Sequence, residues 1–332
     1  MSGGIDSCVL LDVCKRVQQA RGQNLELAPL ALNAKNFPII TAISVTHFDH
    51  RAHAKAAEQA SFVQELAKKA GLNFYLGRAQ TKLTSEAELR QARLKFCWQI
   101  AQKIAATHVA FAHQALDNAE TFCLNLLRGT GLAGLSGMPE LTNFPLGKNS
   151  NLKIWRPLIQ IPRTQILAYA KARQLKFVTD PTNAEVKFKR NFLRLKIWPL
   201  LKKLNLQATK NILQAQKILQ ASQEFFSQAA QNFFAPYAQS KSLPLAKFQA
   251  LPKILQTEVL RLITQQALGH LPQVSHKNFQ EILALTRNSA GNKKKAFGTL
   301  TFLTTKHQGQ RVLAWKITSS GSRVNPRAKS CG

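Results

Sequence analysis

The residues best suited to chemistry stand at the amino end. Ser2-Gly3-Gly4-Ile5-Asp6-Ser7 runs directly into a helical pattern. Two glycines let the backbone approach an anion closely, and the N–H groups of the loop and of the first helical turn point at it. The hydroxyls of Ser2 and Ser7 add donors, and the Asp6 carboxylate is placed to hold Mg²⁺ against phosphates. The spacing is not the Gly-x-x-x-x-Gly-Lys-Ser/Thr of loops that grip β- and γ-phosphates for kinase-type transfer. The same hexapeptide also reads as a capped helix start after a glycine turn, with Ser2 or Asp6 as the cap.

A second set lies further on. Asp117 and Glu120 are three apart, so on a helix they share a face and offer two acceptors to an ammonium group. They also fit a capping box with Asp117 as N-cap and Glu120 as its partner. Arg90, Arg93, Arg128, Arg190 and Arg194 are candidates for phosphate or adenylate contacts, because guanidinium binds phosphate in a bidentate fork. Any one of them also serves as a general RNA-backbone contact. His47, Asp49, His50 and His53 suggest zinc, but a closed site needs four ligands and these straddle a strand end whose side chains alternate in direction. His47 beside a nucleotide, or a plain turn, suits them better. Asp180-Pro181-Thr182-Asn183 reads as a turn.

The elements that must position these groups alternate in the first half. Helical patterns cover Ser7 to Arg21 (Val9, Leu10, Val13 and Val17 on one face), Ala54 to Ala70 and Glu86 to Ala106. Gly71 sits where a helix end favours glycine. Strands are expected at Ile39–Val45, Phe74–Leu76 and Val109–Ala112. Such alternation implies βαβ units and a parallel doubly wound sheet covered by helices on both faces, with ligands beyond the carboxyl ends of its strands. After about Leu200, Ile212, Leu213, Leu219, Phe226 and Phe233 recur near heptad spacing and predict one long amphipathic helix. Helices at Lys247–Leu268 and Lys277–Thr286 follow, then a hairpin within Asn292–Lys316. The Ser/Gly/Arg-rich end from Ser319 is expected to be disordered. The domains expected are 1–201, catalytic; 202–318, mainly helical and basic; and 319–332, a tail.

Charge names the class of partner. The 332 residues carry 46 Lys+Arg against 16 Asp+Glu, a net +30. Residues 1–150 hold 16 basic and 11 acidic side chains, and residues 151–332 hold 30 and 5. One-signed excess of that size costs self-repulsion unless a polyanion relieves it, and phosphate neutralisation with counterion release is its usual use. A generally basic composition serving solubility is the plainer account. RNA, DNA or an anionic membrane would each fit such a surface, but no run of about 18 apolar residues is present, so no membrane span is expected. Nor does a signal peptide open the chain. Five scattered cysteines without Cys-x-x-Cys argue against a disulfide framework, a zinc ribbon and an iron–sulfur cluster, and for a reducing compartment.

The hexapeptide resembles the SGGxDS signature of the PP-loop ATP pyrophosphatases. Four further segments resemble one branch of them, the tRNA(Ile)-lysidine synthetases: His47-Phe48-Asp49-His50; Glu86 to Arg93; Ala112 to Thr121 continuing to Arg128-Gly129-Thr130-Gly131-Leu132; and Arg156-Pro157-Leu158 with Asp180–Asn183 and Arg190–Arg194. Together they cover about residues 2–201 in the family's order. The resemblance implies that ATP adenylates the C2 carbonyl of the wobble cytidine in a tRNA(Ile) with a CAU anticodon, after which free L-lysine displaces AMP to give lysidine. It implies ATP contacts at Ser2, Gly3, Gly4, Ile5, Asp6, Ser7 and His47, and Mg²⁺ at Asp6 through the phosphates. Lysine binding falls to Asp117 and Glu120, and catalysis to Asp6, Arg93, Asp117 and Arg190. Arg194 and Lys293-Lys294-Lys295 are expected on the tRNA, in a cytoplasmic or plastid setting.

Three departures stand out. Gln114 and Leu116 replace a histidine and an aspartate of the family pattern. His53 stands where an arginine is expected after His50. The strand that should deliver Ser2 to the middle of the sheet does not precede it, so an upstream start or a fragment is expected. Two other readings stay open: a PP-loop tRNA thiolase, disfavoured by the absence of paired cysteines, and a degenerate RNA-binding relative without catalysis.

Overall fold

The computed structural model describes residues 1–32, 37–50, 56–79, 85–147, 151–179, 188–268, 276–287, 294–297 and 299–317. Asp180–Asn183, His53, Lys293 and the stretch from Ser319 lie outside them. The chain divides into two compact units, Met1–Arg128 with Gly134–Ile218, and Gly129–Ala133 with Leu219–Gly332.

The first unit holds α1 (Ile5–Ala20), β1 (Ser44–Asp49), α2 (Ala56–Lys69), β2 (Asn73–Arg78), α3 (Glu86–Lys103), β3 (His108–Ala110) and α4 (Ala115–Arg128). A short α5 (Leu132–Leu135) leads to β4 (Leu141–Asn143), β5 (Lys153–Trp155), α6 (Arg163–Ala172), α7 (Lys189–Phe192) and α8 (Trp198–Leu204). β1 and β2 pair in parallel, as do β3 and β5, with β4 antiparallel on the far side of β5. This is the expected parallel α/β class.

The helix faces follow the apolar spacing. Val9, Val13 and Val17 are buried on α1 and meet Leu158, Ile166 and Tyr169 of the α6 region in one cluster. Each such side chain contributes about 1.5–3 kcal/mol when fully buried. α3 starts on a capping box in which Ser85 and Glu88 each accept from the other's backbone N–H. Gly71 has φ +69°, the left-handed conformation its place after α2 requires. The strand expected at Ile39–Val45 lies later, at Ser44–Asp49. Its register is set by β2, Ser44 facing Asn73, which leaves Ile39 73% exposed.

Between α7 and α8 the chain makes one π-helical turn, Leu193–Ile197. Leu193 at its start and Trp198 just after it both enter the core beside Ala119 of α4.

α9 (Ala208–Phe234) is the predicted long helix, and the division between the units falls inside it. The second unit continues with β6 (Ser242–Pro244), α10 (Leu245–Gln249), α11 (Lys253–Leu268), α12 (His276–Arg287), β7 (Lys294–Phe297), β8 (Leu300–His307) and β9 (Gln310–Ile317). Its antiparallel sheet runs β6-β9-β8-β7 and carries the predicted hairpin as β8–β9. Phe248, Leu260, Ile263, Ile282 and Phe302 form its core. No described helix is long and apolar enough to cross a membrane.

Candidate nucleotide and amine site

The glycine loop is built from two glycines with different tasks. Gly3 has φ +77°, and a Cβ there would stand 2.9 Å from Val178 Cγ2. Its carbonyl accepts from Val178 N at 3.0 Å, so Gly3 is fixed by packing. Gly4 is the N-cap of α1 at φ −70°, and a Cβ there meets nothing closer than Ser2 Oγ at 3.4 Å. Neither Ser2 nor Asp6 caps the helix: α1 has no side-chain cap. Instead Ser2 Oγ accepts from Gly4 N, and Ser7 Oγ donates to Gly4 O at 2.8 Å. Ser7 N and Cys8 N donate to Gly4 O, which leaves the Ile5 and Asp6 N–H groups of the first turn of α1 to an anion.

His47 lies behind the loop. Its Nδ1 is 2.7 Å from Met1 O, and burial holds its pKa below the usual imidazole value. The Met1 amino group donates to Thr46 O of the same strand. His47 thus braces the segment entering the loop.

The carboxylate pair is clamped by arginines. Glu120, fully buried, accepts from Arg190 Nε at 2.9 Å and from Arg194 Nε at 2.6 Å. Asp117 Oδ1 accepts from the same two arginines, at 3.1 and 2.8 Å. Arg194, expected on RNA, is turned inward here. The capping expectation shifts by one turn. Gln114 precedes α4, its Oε1 accepts from Leu116 N at 2.8 Å, and Asp117 Oδ2 accepts from Gln114 N at 2.9 Å. Gln114 is therefore the capping residue, and Leu116 packs beside Leu193 and Trp198. The two family departures serve helix start and core.

Asp6 connects loop and clamp. Burial raises its pKa above the ordinary carboxylate value, while Arg163 opposes that rise and the charges of Asp117 and Arg194 are also felt. Arg163 NH1 stands 3.4 Å from Asp6 Oδ2. Sequence reasoning missed Arg163, since nothing but its place at the start of α6 marks it.

Residues 1–201 match the family model described as a PP-loop domain. A tRNA(Ile)-lysidine synthase of Gloeobacter violaceus is 31% identical over 279 residues, covering 83% of this chain and 78% of that protein. The chain belongs to the tRNA(Ile)-lysidine synthase family of PP-loop proteins. Other relatives of that name are 33% identical in Nostoc sp. (69% of this chain, 60% of the relative) and 34% in Thermosipho africanus (62% and 43%). The chain spans about half the length of several of these lysidine synthases, 40% for that of Nitrosomonas europaea and 49% for that of Bradyrhizobium diazoefficiens. Among solved structures, the U34-tRNA thiolase NcsA from Methanococcus maripaludis with its [4Fe-4S] cluster superimposes with a TM-score of 0.50 at 16% identity. That match covers 66% of this chain and 70% of the thiolase, and it concerns the fold alone.

In this lysidine synthase relative, no group of three or more His, Cys, Asp or Glu side chains among the described residues could hold a metal. A lone Asp6 on the loop fits a Mg²⁺ that arrives on ATP, since Mg²⁺ takes one or two carboxylates together with phosphates and waters. Burial pushes the Cys8 and Cys14 thiols up to about 11 and about 12.

On the other flank of the clamp, Arg93 of α3 lies over the Phe111 ring at 5.7 Å, and His113 stacks on the same ring. Burial lowers the His113 pKa to about 3, so it is neutral in the folded chain. The unfolded imidazole binds a proton below about 6.5 and the folded one does not. Stability from this residue is therefore complete above pH 6.5 and is lost as pH falls toward 3. We expect His113→Gln to reduce the drop in urea midpoint between pH 7 and pH 4.5. An unchanged drop would count against a buried neutral imidazole.

In the second unit, Lys294 is exposed, whereas Lys295 pairs with Glu281 at 2.8 Å.

Proposed function

We propose that this chain forms lysidine on a tRNA(Ile) with a CAU anticodon. The observation that carries it is an uncapped glycine loop, with Asp6 paired to Arg163, in the same unit as a carboxylate pair clamped by two arginines. The loop receives the β- and γ-phosphates, in the manner of an anion at a helix start. The C2 oxygen of the wobble cytidine attacks the α-phosphorus of ATP, the bond to pyrophosphate breaks, and an adenylate forms. Splitting one hard displacement in two makes the second easier. The deprotonated side-chain amine of free lysine then attacks C2, the C–O bond breaks, and AMP leaves. Asp6 would hold Mg²⁺ on the ATP phosphates, and the ion would supply charge neutralisation for the departing pyrophosphate.

The clamp gives these steps their order. Asp117, at the rim of the cluster with 15% of its side chain exposed, is the carboxylate for the lysine amine. Glu120 behind it holds Arg190 and Arg194 in place. When an arginine turns from Asp117 to the nucleotide phosphate, Asp117 is uncovered for the amine. Arg93 is the further candidate for the adenylate. The test is release of AMP and pyrophosphate on adding lysine to the chain with ATP and an unmodified tRNA(Ile) transcript. Release that ignores lysine, or needs sulfide, would overturn the reading.

RNA affinity comes from the basic half, with the anticodon base presented unstacked to the site. We expect Lys294→Gln to weaken tRNA binding and to lower the slope of log K against log salt by about 0.7–0.9, one phosphate contact. Lys295→Gln should act less, because Glu281 already occupies that ammonium. Equal slopes for both variants would remove this stretch from the RNA surface.

A further inference from the structure

Beyond the loop and the clamp, the buried nitrogen atoms without a hydrogen-bond partner among the described residues include Arg93 Nε, His113 Nδ1 and Arg156 Nε. They come from neighbouring elements. β3 and β5 run in parallel, with Ala110 opposite Trp155, and Phe111 N donates to Trp155 O at 2.9 Å. His113 and Arg156 therefore both stand just beyond the carboxyl ends of adjacent parallel strands, where open α/β sheets bind ligands. Arg93 reaches the same place over the Phe111 ring.

Arg156 is the anchor. It is 5% exposed, and its NH1 donates to Pro139 O at 2.9 Å. Its backbone N donates to Glu140 O at 2.8 Å. The bond to Pro139 O holds the guanidinium while its buried Nε has no partner among the described residues. Among the described residues neither Arg93 nor Arg156 has a carboxylate within salt-bridge distance, since Asp117 and Glu120 are taken up by Arg190 and Arg194. Burying two guanidinium groups without an anion is costly, and unused buried donors in a native fold signal a missing water or ion. His113 feels the charges of Asp117, Arg190, Arg156 and Arg93, whereas Asp6 of the loop feels Arg163, Asp117 and Arg194. Asp117 of the clamp is thus within electrostatic reach of both His113 and Asp6.

We propose that Arg156, with Arg93 and His113, forms a pocket for a single phosphate group distinct from the pyrophosphate site at the glycine loop. The pocket rests on the reading that the chain acts on ATP and RNA. Its occupant is either the phosphodiester next to the reacting base or the α-phosphate of the nucleotide.

The test compares Arg156→Gln and Arg156→Lys with the parent chain, in binding of AMP, adenosine and an anticodon stem-loop RNA. If the α-phosphate fills the pocket, Arg156→Gln weakens AMP at least tenfold and leaves adenosine unchanged. If the RNA phosphate fills it, the stem-loop weakens at least tenfold, its salt slope falls by about 0.7, and AMP is unchanged. In either case Arg156→Lys recovers part of the loss. Parent-like binding of both ligands by a folded Arg156→Gln overturns the pocket. Where both variants fail to fold, anomalous scattering from tungstate soaked into crystals of the parent chain decides. A peak within hydrogen-bond distance of Arg156 Nε is expected, and its absence overturns the proposal. Lysine-dependent AMP release by the parent chain is scored separately, so loss of the pocket and loss of the proposed reaction give different results.

Discussion

Glu120→Ala is expected to destabilise the first unit by about 3–5 kcal/mol, the usual cost of removing one partner from a buried ion pair. Glu120 has no exposure, and its two oxygens accept from Arg190 and Arg194. Without it, two guanidinium groups at 26% and 29% side-chain exposure keep only Asp117. Two cations then crowd one carboxylate, and the alanine leaves a void where a fully buried side chain stood. Glu120→Gln keeps the shape and loses the charge, so it should fall between the parent and the alanine variant. Urea unfolding at neutral pH measures the effect. A loss below about 1 kcal/mol would mean that the clamp contributes no more than an exposed ion pair. The two arginines share their acceptors, so the effects of Glu120→Ala and Arg190→Ala should be far from additive.

Gly4→Ala is expected to lower ATP affinity about 100-fold, near 2.7 kcal/mol, while leaving the melting temperature within a few degrees of the parent. At φ −70° an L-residue is allowed, and the added methyl makes ordinary contacts, with Ser2 Oγ at 3.4 Å and Val178 O at 3.9 Å. The space it fills is the open side of the loop, where a phosphate would approach the first turn of α1. Gly3→Ala should behave in the opposite way. Its positive φ and the Val178 methyl at 2.9 Å place strain of about 1–3 kcal/mol on the fold itself. Isothermal titration with a non-hydrolysable ATP analogue, read beside thermal melts, separates the two. Parent-like nucleotide binding by Gly4→Ala would move the phosphates away from this loop.

The helices were legible because their apolar residues repeat at the helical period. Val9, Val13 and Val17 mark the buried stripe of α1, and Ile212 to Phe233 mark α9. The first strand was harder to place. Ile39, Ile40 and Ile43 look like strand residues, but the register is fixed by β2, and Ile40 and Ile43 instead pack on the α1 cluster from outside β1. Local β propensity yields to pairing of this kind.

At the site, the spacing of Asp117 and Glu120 was enough to place both on one helical face. That Arg190 and Arg194 close over them was not legible, since spacing informs only within one helix and some seventy residues intervene. The partnership of Asp6 with Arg163, on a different helix, was hidden for the same reason. Gln114 reads as a departure from the family pattern in sequence, whereas in the fold it starts α4.

The π-helical turn at Leu193–Ile197 has a consequence for how this segment tolerates change. Such a turn adds one residue to an α-helical path, and one residue corresponds to about 100° of rotation. Deleting a single residue there would restore an unbroken helix and swing either Trp198 out of the core or Arg190 and Arg194 off their carboxylates. Upstream and downstream stretches are thus in separate angular phase. Replacements along the outer surface of α8 can then accumulate without misaiming the guanidinium pair, whereas length changes of one residue cannot.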